Sequence, residues 1–551
     1  MHGASAAFDF EHGIGIVIGL LIVAMAVAVL VRRFRLPYTV VLVLVGIVLA
    51  LARKASWIQV DGLELEGDLY AAVCYTVLLP ILLFEAALNL KWEMFSRNAR
   101  PIFGLAILGT IINISLVGIL VHFLLGMPWG ISLLLGAIIS PTDPLSVVVT
   151  FRQLGVARRL SVLVEGESLF NDAVGLVIFS VLLTAVGSGN VSVMEGVYEF
   201  LIVCAGGVAV GAVLGFVAAY ITRHVDDHLI EVTLSTILAY GSFLVAEQMD
   251  IGGIHFSGVI AVVVAGLAMG NYGRTSGMSA TTIVALDTFW EYLGFVANSL
   301  VFLLIGIELS VLKFDGPIWD TLLTIGILYA IVLVARAAVS YAGGATLGTR
   351  ERPIPRGWRH LIFWGGLKGA LSMVMVLRVP RDLMVGGYEY FDTLLTWTFG
   401  VVFLSLVIQG LSIRKVVGWL GLAGKSEITD RYEAFAAKVI AGRAAVEELD
   451  ELRDSHVLTA SVRDRLAQPY MVQVSDAEES LEQLHDDEPG FADIQARDAM
   501  RRAHHAEKSA LLDAFRRGVI TEEALHDMVH DLDDRHHMLE AKQEVDESDA
   551  E

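Results

Sequence analysis

The chain has 551 residues, 55% of them hydrophobic and 18% charged, with a formal net charge of −21 and a mean hydropathy of +0.65. That composition excludes an ordinary soluble domain and fits a helical protein that crosses a membrane many times. The charge is concentrated from Lys425 onward, where 32 acidic residues face 15 basic ones, and an acidic tail argues against nucleic acid and against docking on anionic lipid.

Residues 1–11 lack the basic region of a cleaved signal peptide, so the first apolar run reads as a retained helix. A span needs about 20 apolar residues, with room for tilt or a break. Thirteen such stretches are expected, near 12–31, 38–53, 70–90, 101–125, 130–152, 161–186, 195–222, 229–249, 252–270, 284–310, 317–347, 358–379 and 391–413. With the N-terminus outside, the inner loops hold 17 Lys and Arg residues and the outer loops 5. The excess of cations inside supports this orientation and predicts a cytoplasmic tail. Cys74 and Cys204 lie in apolar runs and show neither a disulfide framework nor metal spacing.

With the seventh span as a linker, two six-helix halves of opposite orientation follow, the pattern of inverted-repeat transporters. The fifth span is interrupted by Ser140-Pro141-Thr142-Asp143-Pro144, and the twelfth, its counterpart, by Gly365-Gly366-Leu367-Lys368-Gly369. Paired broken helices in corresponding positions point to a transport site. Broken backbone is tolerated at membrane depth only where protein or a hydrated cavity satisfies the freed groups.

Several polar residues lie within the spans. Glu85 sits near the inner end of the third, where it either snorkels to water, lines an inner vestibule or reaches the ion. In the fifth, Pro141 and Pro144 remove helix donors, Thr142 can offer a hydroxyl or carbonyl oxygen to a cation, and Asp143 can balance a positive half-helix N-terminus. The sixth carries Glu167, Ser168, Asn171 and Asp172. An ionisable group at that depth costs roughly 2.5–3.5 kcal/mol on insertion scales, and chains that carry one commonly use it to move a proton or an ion. A buried carboxylate favours its neutral form and a bound cation favours the charged one. Asp172 could therefore alternate between the two ligands. Ser168, four residues earlier, shares its helical face and offers a hydroxyl to a hard cation. Asn171 positions the site and leaves one titrating carboxylate, and Glu167 needs a basic partner. The two basic residues well inside spans are Arg336 and Lys368. Asn298, Glu308, Glu247 and His255 are weaker candidates.

GESLFNDAVGLVIFS, SPTDP, LLPILLFEAALNL and WGGLKGAL together resemble the sodium/proton antiporters of the cation:proton antiporter-1 group, which holds the prokaryotic NhaP-type and animal NHE exchangers. The resemblance covers about residues 12–415. It implies a homodimer working by elevator-like alternating access, with spans 4–6 and 11–13 as the moving core (about 101–186 and 317–413) and the rest as dimerisation scaffold. It implies that Asp172 binds Na⁺ or a proton, with Ser168, Thr142 and Glu85 as further ligands. Asn171 would be held by an ion pair between Glu167 and the basic residue of span 12. It also implies electroneutral exchange. At that position, however, the group typically carries Arg in a GGLRGA pattern, and this chain carries Lys368, a residue associated with electrogenic relatives.

The tail, residues 425–551, reads as soluble helices near 430–452, 474–485, 491–517 and 522–543. Eight of the 15 histidines are here: His456, His485, His504, His505, His526, His530, His536 and His537. They form either a pH-sensing regulatory surface or an ordinary solvated one. The expectation is an all-α polytopic protein of a bacterial-type inner membrane that exchanges Na⁺, and Li⁺ with it, for H⁺, with K⁺/H⁺ exchange on the same fold as the alternative. No cofactor motif is apparent. A cation channel is disfavoured by the broken helices and single carboxylate, and an intramembrane enzyme by the lack of an HExxH motif or a nucleophile–base pair.

Overall fold

The computed structural model describes residues 10–34, 38–54, 72–188, 193–225, 227–274, 278, 280–308, 317–348, 353–423 and 427–487, with scattered positions between 499 and 532. The chain divides into two compact units, Met1–Gly424 and Lys425–Glu551.

The first unit is helical. Its elements are α1 (Phe10–Phe34), α2 (Tyr38–Lys54), α3 (Cys74–Asn89), α4 (Ala99–Leu125), α5 (Trp129–Ile139), α6 (Leu145–Gln153), α7 (Arg158–Ser188), α8 (Val193–Thr222) and α9 (His228–Gln248). They continue with α10 (Gly258–Gly273), α11 (Ala280–Glu308), α12 (Ile318–Thr346), α13 (Arg356–Trp364), α14 (Ala370–Leu377) and α15 (Phe391–Trp419). Among the described residues, seven helices are long and apolar enough to cross a membrane, and five more apolar ones are 10–17 residues long. Two expected spans are each split into half-helices, α5/α6 and α13/α14.

Local chemistry sets the ends. Asp227 caps α9 by accepting from the N–H groups of Leu229 and Ile230 at 2.8 and 3.3 Å. Gly126 closes α4 at φ +70°, a left-handed cap that suits glycine. The ninth span was expected from residue 252, but Asp250–Ile251 pairs antiparallel with Ile254–His255 in a short hairpin. Gly252 and Gly253 make its turn at φ +64° and +85°. Helix α10 starts only at Gly258, where Ser257 Oγ accepts the Ile260 N–H at 3.2 Å.

The helices pack in two groups. α4, α5, α7, α12 and α15 pack on one another, with α13 and α14 against α12 and α15. α3, α8, α9 and α10 pack together, and α11 joins them to α2 and α1. Without a hydrophobic drive between helices in lipid, small residues allow close backbone approach. Gly46 of α2 and Gly306 of α11 lie against each other so closely that a Cβ on Gly306 would overlap the Val43 carbonyl oxygen. Gly306→Leu is expected to destabilise the protein by about 1–3 kcal/mol through overpacking, read as a lower apparent Tm in detergent. An unchanged Tm would place that contact outside the stable fold.

The second unit contains an antiparallel helix pair, α16 (Glu427–Asp454) and α17 (Ala460–Asp487). α17 begins well before the expected 474 and runs through Pro469. Burial of Ala467, Ala477 and Leu484, and the fit of Val474 against Gly442, outweigh the local cost of the proline. Arg463 grips both carboxylate oxygens of Asp450 at 2.8 and 2.9 Å, and this hydrogen bonding holds the Asp450 carboxyl below its usual range. Of the tail histidines, His456 lies in the turn between these helices. The side chains of the other seven, and most of the two later expected helices, lie outside the described residues.

Candidate functional site

The two breaks meet. Helix α5 stops at Ile139 and α6 resumes at Leu145, because Pro141 and Pro144 supply no N–H for the ladder. Helix α13 stops at Trp364 and α14 resumes at Ala370 across three glycines. The N–H of Asp143 donates to the Leu367 carbonyl at 2.7 Å, joining one break to the other. The glycines are needed for this closeness. A Cβ on Gly369 would lie 2.5 Å from the Asp143 Cβ, and one on Gly366 would lie 2.5 Å from Arg336 Nε.

The middle of α7 faces the first break. The N–H of Thr142 donates to Asp172 Oδ1 at 3.1 Å. Thr142 Oγ1 donates to Ser168 Oγ at 3.0 Å, and Ser168 Oγ donates in turn to the Thr142 carbonyl. Ser168 and Thr142 are buried, whereas Asp172 keeps part of its surface accessible. Asp172, Ser168 and Thr142 are thus brought together as an all-oxygen cluster of the kind hard cations prefer.

Asn171 is buried beside them. Its Oδ1 accepts from Thr110 Oγ1 at 2.6 Å, and its Nδ2 donates to the Ser140 carbonyl and to Thr142 Oγ1, both at 3.3 Å. The expected ion pair is corrected here. Glu167 is paired not with Lys368 but with Arg336 of α12, through two parallel bonds of 2.7 and 2.9 Å. The guanidinium fork matches a carboxylate, which a lysine cannot do. Arg336 also donates to the Ile362 carbonyl at 3.1 Å, near the end of α13.

Lys368 instead sends Nζ to the Ser140 carbonyl at 3.0 Å. That carbonyl lies at the C-terminal, negative end of α5, so a cation is favoured there. Asp143 has the complementary position. Its Oδ1 accepts the first N–H of α6, Leu145, at 3.0 Å, and its other oxygen faces Gly369 at the start of α14. Each charge thus sits at half-helix ends of opposite sign.

Glu85 is not brought to this cluster. It packs against Gly294 of α11, and its charged neighbours are Glu291, Arg152 and Glu165. Of the placements left open above, direct ligation at the Asp172 cluster does not fit these neighbours. Glu247 accepts from Tyr75 Oη at 2.9 Å and from the Gly258 N–H at 3.2 Å, Asn298 is buried in α11, and His255 is exposed in the hairpin. That Thr110 and Ser140 hold Asn171 escaped the sequence reading. Thr110 is uncharged and in no motif, and Ser140 reads in the sequence only as the first residue of the break. The position of Arg336, alone with Lys368 among intramembrane cations, was the available signal for the Glu167 pair.

Half-helices that meet at a carboxylate, inside a bundle of apolar helices, define a membrane transporter. Residues 18–419 match the family described as "Sodium/hydrogen exchanger, transmembrane". The Na(+)/H(+) antiporter NhaG of Bacillus atrophaeus is 34% identical over 89% of this chain and 91% of its own. ApNhaP of Aphanothece halophytica, also an Na(+)/H(+) antiporter, is 37% identical over 75% of each chain. The solved structure of the sodium proton antiporter MjNhaP1 from Methanocaldococcus jannaschii at pH 8 matches in fold, with a TM-score of 0.63 at 19% identity, covering 76% of this chain and 100% of that one. The chain belongs to the sodium/hydrogen exchanger family and is a secondary transporter, not an enzyme.

Proposed function

We propose that this chain exchanges Na⁺ for H⁺ across a cell membrane, with both ions competing for Asp172. The observation that carries this reading is the carboxylate of Asp172, hydrogen-bonded to Thr142 where two broken helices meet. Ser168 and Thr142 would turn their oxygens to the bound Na⁺, and Li⁺ would fit the same hard donors. Asn171 and the Glu167–Arg336 pair organise the site, while Asp143 and Lys368 balance the half-helix dipoles.

The finer reading is thirteen spans in inverted six-helix halves, with a homodimer that works by elevator-type alternating access. The packing of α4, α5, α7 and α12–α15 on one another supports their movement as a core against the remaining helices. The N-terminus would lie outside, and residues 425–551 would form a cytoplasmic regulatory unit.

Electroneutral exchange is favoured by the placement of Lys368, which is bonded to the Ser140 carbonyl rather than committed to Asp172. In proteoliposomes containing the full chain, Na⁺-driven proton movement is expected with no dependence on a clamped potential. One net charge moved against 100 mV corresponds to about 2.3 kcal/mol, close to a 50-fold change in the sustainable gradient. A shift of that size would overturn one-for-one exchange. Absence of Na⁺-driven proton movement would overturn the exchange reading itself.

A further inference from the structure

Both edges of the second break are held by one turn of α15. That turn, Ser405–Gly410, is π-helical, a form that appears mostly as single turns inside α-helices and frequently at functional sites. Its Ser405 and Gln409 are fully buried. Gln409 Nε2 donates to the carbonyl of Trp364, the last residue of α13, at 3.1 Å. Ser405 Oγ accepts the backbone N–H of Lys368 at 2.9 Å and donates to Gln409 Oε1 at 2.6 Å. One side-chain pair therefore satisfies a carbonyl freed where the first half-helix ends and an N–H freed before the second begins.

The chain of contacts continues into the transport site. Lys368, fixed at its backbone by Ser405, extends Nζ to the Ser140 carbonyl at 3.0 Å. The same carbonyl accepts from Asn171, the neighbour of Asp172 in α7. Thr142, two residues beyond Ser140, carries the N–H bonded to Asp172. A change in where Ser405 and Gln409 hold the second break is thus passed to the oxygens around Asp172 through two buried hydrogen bonds.

We propose that Ser405 and Gln409 are positioning residues of the transport site. Acting through Lys368, they set the separation of the two breaks and with it the affinity and size preference for the cation. Neither touches the ion. The inference rests on the exchange reading above and assigns α15 a part in selectivity.

The test is initial rates of cation-driven proton movement in proteoliposomes of the full chain, at varied Na⁺ and varied Li⁺. Outer partners of a metal site typically contribute 10–100-fold to affinity, so Gln409→Leu and Ser405→Ala are each expected to raise KM for Na⁺ about 10-fold. The Na⁺/Li⁺ ratio of KM should move at least about threefold, with kcat much less affected. Ser405→Thr keeps the hydroxyl and should stay near the wild-type KM. Should Gln409→Leu fail to fold, Gln409→Asn, one methylene shorter, decides by the same measurement. Wild-type KM values and cation ratios in the folded variants, even with lowered kcat or Tm, would overturn the proposal. A wild type that does not exchange would instead overturn the exchange reading.

Discussion

Asp172→Asn is expected to lower Na⁺-driven proton exchange in proteoliposomes by at least about 100-fold, equivalent to about 2.7 kcal/mol on the transport barrier. The substitution nearly preserves shape. Its amide oxygen can still accept the Thr142 N–H that now reaches Asp172 Oδ1 at 3.1 Å, so the meeting of the breaks should survive. What disappears is a group that carries either a proton or a charge that attracts a cation. The loss should therefore appear without a loss of folded protein. Sodium should also cease to raise the apparent Tm, because a ligand stabilises only the state that binds it. Full retention of exchange in Asp172→Asn would remove the central residue of the proposed site.

The second large effect lies at the Glu167–Arg336 pair. Both side chains are buried and doubly bonded. Removal of one partner from a buried pair leaves an uncompensated charge and costs about 3–5 kcal/mol. Arg336→Met and Glu167→Gln should each lower the apparent Tm in detergent by about 5–10 °C. The double variant should recover much of that loss, since an apolar replacement of a whole buried pair is often neutral. Arg336→Lys should remain impaired, because it keeps the charge but loses the fork and the bond to the Ile362 carbonyl. Lys368→Met serves as the contrast. A larger drop in Tm for Lys368→Met than for Arg336→Met would mean that Lys368, not Arg336, neutralises Glu167.

Much of this arrangement was legible in the sequence because membrane depth makes polar residues costly and therefore informative. Asp172, Ser168 and Thr142 were recognisable from residue type, from one helical face and from a proline-broken span, and the structure brings them together. The partner of Glu167 was not legible. Both intramembrane cations were visible, but choosing between them requires knowing which face α12 presents to α7. Periodicity is silent on that, since both helices are apolar on most sides. Glu85 was misplaced as a ligand for a related reason. Its depth along α3 was readable, but not that Gly294 of α11 leaves room for it away from the cluster. Ser405 and Gln409 stand four residues apart in an apolar run, yet their role emerges only once α15 packs over the break. In the tail, the second helix was expected only from 474, whereas α17 starts at Ala460 and runs through Pro469 because its packing on α16 outweighs the proline's local cost.

The opposed placement of Asp143 and Lys368 has a consequence for leakage. With Asp143 and Glu167 ionised against Lys368 and Arg336, the surroundings of Asp172 sum to zero charge. A core carrying a proton or Na⁺ on Asp172 is then neutral, and a core carrying neither bears one uncompensated negative charge. In the elevator-type exchange proposed above, moving that bare charge past an apolar scaffold would incur a desolvation penalty that the two loaded forms escape. On that reading the unloaded crossing would be the slow one, and tight coupling of the two ion fluxes would follow from electrostatics, with no separate gate needed to forbid slip.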